Sequence, residues 1–384
     1  MSRPYQIAAY YFPNYHPDPR NAMVHGPGWS EWELVKRAVP RYPGQRQPRI
    51  PAWGYTDESD PVVMAQKIAA AANHGLDAFI FDWYWYNDGP FLERGLEQGF
   101  LKAGNNDRLK FAIMWANHNW SDIHPARLLE CQTGDYRQLY PGAITRQTFE
   151  TAARHVITDY FHHPAYWTID GAPYFSFYDL PELVRSLGGF AGVRDALAWF
   201  RGETRAAGFP DLHLNQVYWS QGILPGEAAL RQPGEMLRGL GFDSVTSYVW
   251  IHHVPMTTFP ETRYAWASQE YLRYWDKIEA EIDLPYFPNA TMGWDSSPRT
   301  VASESFINAG YPFTPCLAGN TPAAFKRALR SIKRRLDLLP ISRPKILTIN
   351  AWNEWTEGSY LEPDTHYGMG YLQAIRDTFS RTGR

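Results

Sequence analysis

Two glutamates three residues apart, Glu354 and Glu357, sit in the stretch TINAWNEWTEGSYLEP (348–363), directly after an apolar run and flanked by Trp352 and Trp355. Carboxylates that close repel one another and lose hydration when buried, so a purely structural account must find a reason for both. Cleavage of a glycosidic bond asks for such a pair, one carboxyl kept protonated for the leaving oxygen and one ionised. An aromatic, poorly hydrated pocket would push their pKa values apart, as that division requires. Residues three apart point to opposite faces of a continuing strand but to one face of a helix. The pair can therefore converge only if the strand ends near Asn353 and the chain turns. Taken alone, the same pair also reads as a solvated surface feature, or as acids drawn to a helix N-terminus by its dipole.

Positioning such a pair needs a frame, and short β-rich apolar runs alternate with helical patterns along the whole chain. Eight runs read as strands: 6–13, 77–85, 111–117, 174–180, 212–219, 244–250, 287–294 and 345–352. Between them, DPVVMAQKIAAAANHG (60–75) opens on Asp60 as a cap with Pro61 at the first helical position. TPAAFKRALRSIKRRL (321–336) repeats the device with Thr321 and Pro322. Eight strands, each followed by a helix or long loop, predict an α/β fold of the closed (β/α)8 kind, a TIM barrel. An open doubly wound sheet would carry a Gly-rich phosphate turn after its first strand, and YYFPNYHPDP is not one. No repeat or linker is visible, so residues 1–384 read as one domain. The Pro-rich segment 14–59 shows no clear helix and reads as a long functional first loop, able to cover a cleft.

Active sites of such barrels lie at the C-terminal strand ends, and these ends share one chemistry. The first strand and the loop after it offer Tyr11, Trp29 and Glu31; the second offers Asp82, Trp83 and Trp85. The third gives Trp115, Asn117, His118 and Trp120, the fifth Trp219, and the sixth Tyr248 and Trp250. The seventh adds Trp294 and Asp295, and the eighth Asn353 and Trp355 around the two glutamates. Flat aromatic platforms interleaved with amides and acids are what sugar rings require, so these residues are the expected substrate-binding set. Some of the aromatics must instead fill the core, because alternate strand residues point into it.

Composition agrees. Phe, Trp and Tyr make up 16% of the chain, with 16 Trp, more indole N–H groups than a core needs. With 37 basic against 40 acidic residues and no basic block, a nucleic-acid or membrane-surface partner is not expected. Cys131 and Cys316 give no disulfide framework or metal spacing. His118, Asp122, His124 and the pair His252-His253 offer a rival metal site, but their spacing matches no metal motif, so neither metal nor cofactor is expected. The start MSRPYQIAAYYFP has no signal-peptide core and no run reaches membrane-span length. That predicts a cytoplasmic protein, or a periplasmic or secreted one if a signal was removed.

The segments YYFPNYHPDP, GPGWSEWELVKRAVPRYPGQRQPRIP, FAIMWANHNW, TMGWDSSPR and INAWNEWTEGSYLEPD together resemble the glycoside hydrolase family 99-like proteins, in the WbsX-type branch found with bacterial polysaccharide genes. The resemblance runs from about residue 5 to residue 377. It implies a (β/α)8 barrel acting on α-linked sugars of the mannose or rhamnose type in an oligo- or polysaccharide, with retention of configuration. It also implies roles: Glu354 as base on the sugar's own 2-hydroxyl, which attacks the anomeric carbon to give a 1,2-anhydro sugar, and Glu357 as general acid/base. One departure stands out, since many WbsX-type sequences read WANENW where this chain has His118. The branch has also been labelled as glycosyltransferases, so transfer in polysaccharide (O-antigen) assembly is the second expectation and a non-catalytic sugar-binding barrel the third.

Overall fold

The computed structural model describes residues 5–227 and 233–380. Its centre is a sheet of parallel strands in sequence order: β1 (Tyr5–Tyr11), β2 (Ala78–Tyr86), β3 (Lys110–Trp115), β4 (Ala172–Phe177), β5 (His213–Val217), β6 (Ser244–Thr246), β7 and β8 (Lys345–Asn350). β8 returns to pair with β1 from Tyr5↔Lys345 to Ala9↔Ile349. β7 is split into Tyr286–Phe287, paired with β6, and Asn289–Thr291, paired with β8. Pro288 lies between the halves and cannot donate to a ladder. Its carbonyl still accepts from Thr348 N at 2.9 Å. The sheet is thus a nearly closed TIM barrel, and each predicted run overlaps a barrel strand.

Helices wrap the barrel where apolar periodicity meets a cap. Asp60 accepts from the Val62 amide at 2.8 Å and starts Pro61–Asn73. Thr321 accepts from Ala324 N at 3.2 Å and starts Pro322–Leu338, whose Phe325, Leu329, Ile332 and Leu336 face the core. Thr321→Ala should cost about 1 kcal/mol, read as a lower denaturation midpoint at unchanged slope.

The first loop departs from its expected irregularity by holding two short helices, Pro19–His25 and Trp32–Arg37. At seven and six residues they are too short to show a periodicity. The first nevertheless repeats the Asp-Pro start, with Asp18 accepting from Arg20 N at 2.7 Å. Residues 45–49 bind the end of β7: Gln47 and Arg49 reach Asp295 Oδ2 at 2.9 and 3.1 Å, and Gln45 reaches both its oxygens at 3.1 Å. The loop is thereby fastened across the C-terminal end of the barrel. Among the described residues no helix is long and apolar enough to cross a membrane.

Candidate active site

After β8 the chain forms a tight hairpin, Asn353–Glu354 against Ser359–Tyr360, closed by the single 3₁₀ turn Trp355–Glu357. Three residues per turn bring positions i and i+3 to the same side, so Glu354 and Glu357 face one cavity. Gly358 ends the turn at φ +64°, where a Cβ would also lie 2.6 Å from Arg49 Nη1. Only glycine fits there. The flanking tryptophans point away and hold the turn from behind: Trp352 and Trp355 donate to the two oxygens of Glu362 at 3.0 and 2.7 Å, and Lys67 pairs with the same carboxylate at 2.8 Å.

A cavity opens at the strand ends, with about 710 Å³ of space that includes its solvent-open mouth. Its floor is a cluster built on Arg299, 4% exposed. The guanidinium reaches Glu357 Oε1 at 2.6 Å, Glu354 Oε2 at 3.2 Å and Glu31 Oε1 at 2.8 Å, and lies over the Phe12 ring. Tyr311 also donates to Glu357 Oε1, at 2.7 Å. All described hydrogen bonds of the Glu357 side chain fall on Oε1, leaving Oε2 as the oxygen that can pass on a proton. Tyr248 donates toward Asp82 Oδ2 at 2.8 Å and Glu354 Oε1 at 3.1 Å.

Burial sets the protonation of this group. It drives Glu354 well above the usual carboxylate range, Glu357 adding repulsion and Arg299 opposing. Burial also raises Glu357, against Arg299 and the Tyr311 hydrogen bond. Glu31 is held below the ordinary value, because Arg299, His124 and Thr356 outweigh its burial. Arg299 thus has one firmly ionised partner and two that readily take protons.

Of the residues expected from the sequence, Asp82, His118, Trp120, Tyr248, Trp294, Glu354 and Glu357 lie on the cavity wall. Glu31 stands behind it as a partner of Arg299. Trp29 stacks on His25 and sets its edge against the wall residue His124. Trp219 packs on Tyr178 and His252 of the wall.

The others lie off the wall, for two reasons. One is strand pleat: Asp82 and Tyr84 face inward, so Trp83 and Trp85 face the helical layer, where both rings meet His155. Trp115 likewise packs outward on Phe149, and Trp250 on Tyr264 and Tyr271. Tyr11 turns to Glu58 and Lys67. The other reason is backbone fastening. Asn353 exchanges hydrogen bonds with the Phe12 N–H and C=O at 2.8 and 2.7 Å, and Asn117 does the same with Asp179. Asp295 is taken up by the first loop, and Trp355 by Glu362 and the Tyr360 ring.

The expected substrate-binding set left out Arg299 and Tyr311, and also Tyr84 and Tyr178, which lie at the ends of strands two and four. Arg299 had a signal, since two buried acids demand a cation and it ends the segment TMGWDSSPR. Tyr84 had one too, two residues from Asp82. Burial pushes His118 down to about 4 and His124 to about 3, so both rings are neutral at physiological pH. Among the described residues, Glu93, Glu97 and His155 form a group spaced for a metal ion, off the cavity wall. There the imidazole is paired with Asp159 at 2.7 Å, and its carboxylate neighbours raise its pKa over the opposing effect of burial.

The family model described as glycosyltransferase WbsX matches residues 7–375. The uncharacterized protein WxcX of Xanthomonas campestris pv. campestris is 28% identical over 397 residues, covering 98% of this chain and 50% of the relative. The chain therefore spans about half the length of the curated relatives it matches. Among solved structures, the glycoside hydrolase family 99 endo-α-mannosidase of Bacteroides thetaiotaomicron superposes with a TM-score of 0.57 at 14% identity, over 97% of this chain and 95% of that one. A glycoside hydrolase-like protein gives 0.57 at 14% identity, over 98% and 94%. These likenesses establish the fold.

Proposed function

We propose, from the premise that the chain belongs to the WbsX family, that it is a retaining glycoside hydrolase cleaving α-mannose- or α-rhamnose-type linkages in an oligo- or polysaccharide. The observation that carries this reading is the buried Glu354/Glu357 pair, set on one 3₁₀ turn and joined through Arg299 inside an aromatic cavity. Glu354 takes the proton of the sugar's 2-hydroxyl, O2 bonds to the anomeric carbon, and the leaving oxygen departs with a proton from Glu357. Water then opens the 1,2-anhydro ring; Glu357 takes a proton from the water and Glu354 returns one to O2. Configuration is retained by two inversions, with no covalent bond to the protein. The mechanism needs a 2-hydroxyl trans to the leaving group, as α-mannosides and α-rhamnosides have.

The family's description favours transfer as a second reading. Among the described wall residues Arg299 is the only Lys or Arg, and its N–H groups are engaged with three carboxylates. A sugar nucleotide's diphosphate would meet acids there, so transfer on this site means transglycosylation from a sugar donor. Incubation with α-mannan, rhamnose-rich and mixed polysaccharides, with and without an added acceptor sugar, tests both. Reducing-end release with retained configuration supports hydrolysis, acceptor extension supports transfer, and binding without cleavage over long incubation sinks both in favour of a binding barrel.

A further inference from the structure

A base must be ionised to act, yet Glu354 sits in a dry cluster that favours its neutral form. The geometry beside it offers a way out. Tyr248 has one O–H proton and stands between two carboxyl oxygens, Asp82 Oδ2 at 2.8 Å and Glu354 Oε1 at 3.1 Å. One oxygen can accept that proton in a full hydrogen bond; the other must then donate to the tyrosine oxygen. Asp82 is 3% exposed, and its Oδ1 is buried with no hydrogen-bond partner among the described residues. An ionised Asp82 would leave charge on that unpartnered oxygen, whereas a neutral carboxyl leaves only a carbonyl there.

We propose that Asp82 is a positioning residue that holds a proton on Oδ2 and, through Tyr248, keeps Glu354 ionised and aimed for proton abstraction. The resting chain is Asp82 Oδ2–H to Tyr248 Oη, and Tyr248 Oη–H to the Glu354 anion. The proton that Glu354 takes from the 2-hydroxyl stays on Glu354 until it returns to O2, while Asp82 and Tyr248 each keep their own. No atom is gained or lost, and the tyrosine never ionises. The surroundings agree: burial raises Asp82 well above the usual range, Glu357 adding to it against Tyr248 and Arg299. Tyr10 and Tyr178 pack on the Tyr248 ring, and His252 nearby is neutral, its pKa pushed down to about 3 by burial.

This inference rests on Glu354 being the base, but its first test needs no substrate. Infrared difference spectra are recorded at about pH 8, where Asp179 (about 6) and Glu227 (about 7) are mostly ionised. Glu357 keeps its own acid band in every variant and cancels in wild-type-minus-variant differences. One carboxylic-acid C=O band is expected in wild type minus Asp82→Asn and none in wild type minus Glu354→Gln. No band in the first difference, or a band in the second, overturns the proposal. Once a substrate is in hand, Asp82→Asn, whose amide can still donate to Tyr248, should lose no more than about tenfold in kcat, and Asp82→Ala about 100-fold. In Asp82→Ala the acid limb of the kcat/KM profile should move to higher pH, because Glu354 then keeps its proton; in Asp82→Asn it should stay. Equal losses with unmoved limbs mean a structural role only. If wild type cleaves no carbohydrate, the hydrolase reading fails while the spectra still decide where the proton lies.

Discussion

Glu357→Gln should lower turnover of a confirmed polysaccharide substrate by about 10²–10⁴-fold, and Glu354→Gln should do the same for a different reason. Both amides keep the side-chain shape, so binding should survive and the loss should fall on kcat. The leaving group separates the roles. A sugar carrying a leaving group that needs no proton should recover much of its first-step rate in Glu357→Gln. It should recover none in Glu354→Gln, where the 2-hydroxyl keeps its proton. The reverse pattern would exchange the roles, and full activity in both variants would remove the pair from catalysis. Arg299 touches both carboxylates, and the turn holds them side by side.

Arg299→Met should be the most destabilising single change in the site, by about 3–5 kcal/mol. It strips one buried cation from Glu31, Glu354 and Glu357, each no more than 5% exposed. Arg299→Lys should fall between, because a single ammonium cannot reach three acids as a planar fork does. The pH dependence has a definite sign. In wild type Glu31 is held below its ordinary value, so it adds stability that is lost only as pH falls through that low value. Without Arg299 all three acids are raised, which disfavours the folded state at pH above their folded pKa values and is relieved as they protonate. The gap between Arg299→Met and wild type should therefore narrow toward acid, measured as denaturation midpoints across pH. A gap that is flat or widens would show that the charges are compensated elsewhere.

Much of the frame was legible because it rests on local rules. Apolar runs of strand length, the Asp60-Pro61 and Thr321-Pro322 starts and the absence of a phosphate turn lead to the barrel without any long-range contact. The two short loop helices were missed since six or seven residues carry no period, although Asp18-Pro19 repeats the start signal. The site was half legible. Glu354 and Glu357 stand out by type and spacing, but Asn117 and Asn353 look like sugar-binding amides and instead fasten neighbouring strand ends. An amide offers the same donor and acceptor to a backbone as to a sugar, and the sequence does not say which comes within reach.

The sequence by itself determined the order of strands and helices, the carboxylate pair and the wealth of aromatics at the strand ends. Tertiary structure decided which of those side chains meet the cavity. On β2 a shift of one residue exchanges Asp82 and Tyr84 for Trp83 and Trp85, because a strand's faces alternate at every position. That phase is set by pairing with β1 and β3, not by the residues at the end. Arg299 depends on tertiary structure still more. It lies 55 residues before Glu354 and 268 after Glu31, and only closure of the barrel brings the one cation to its three acids.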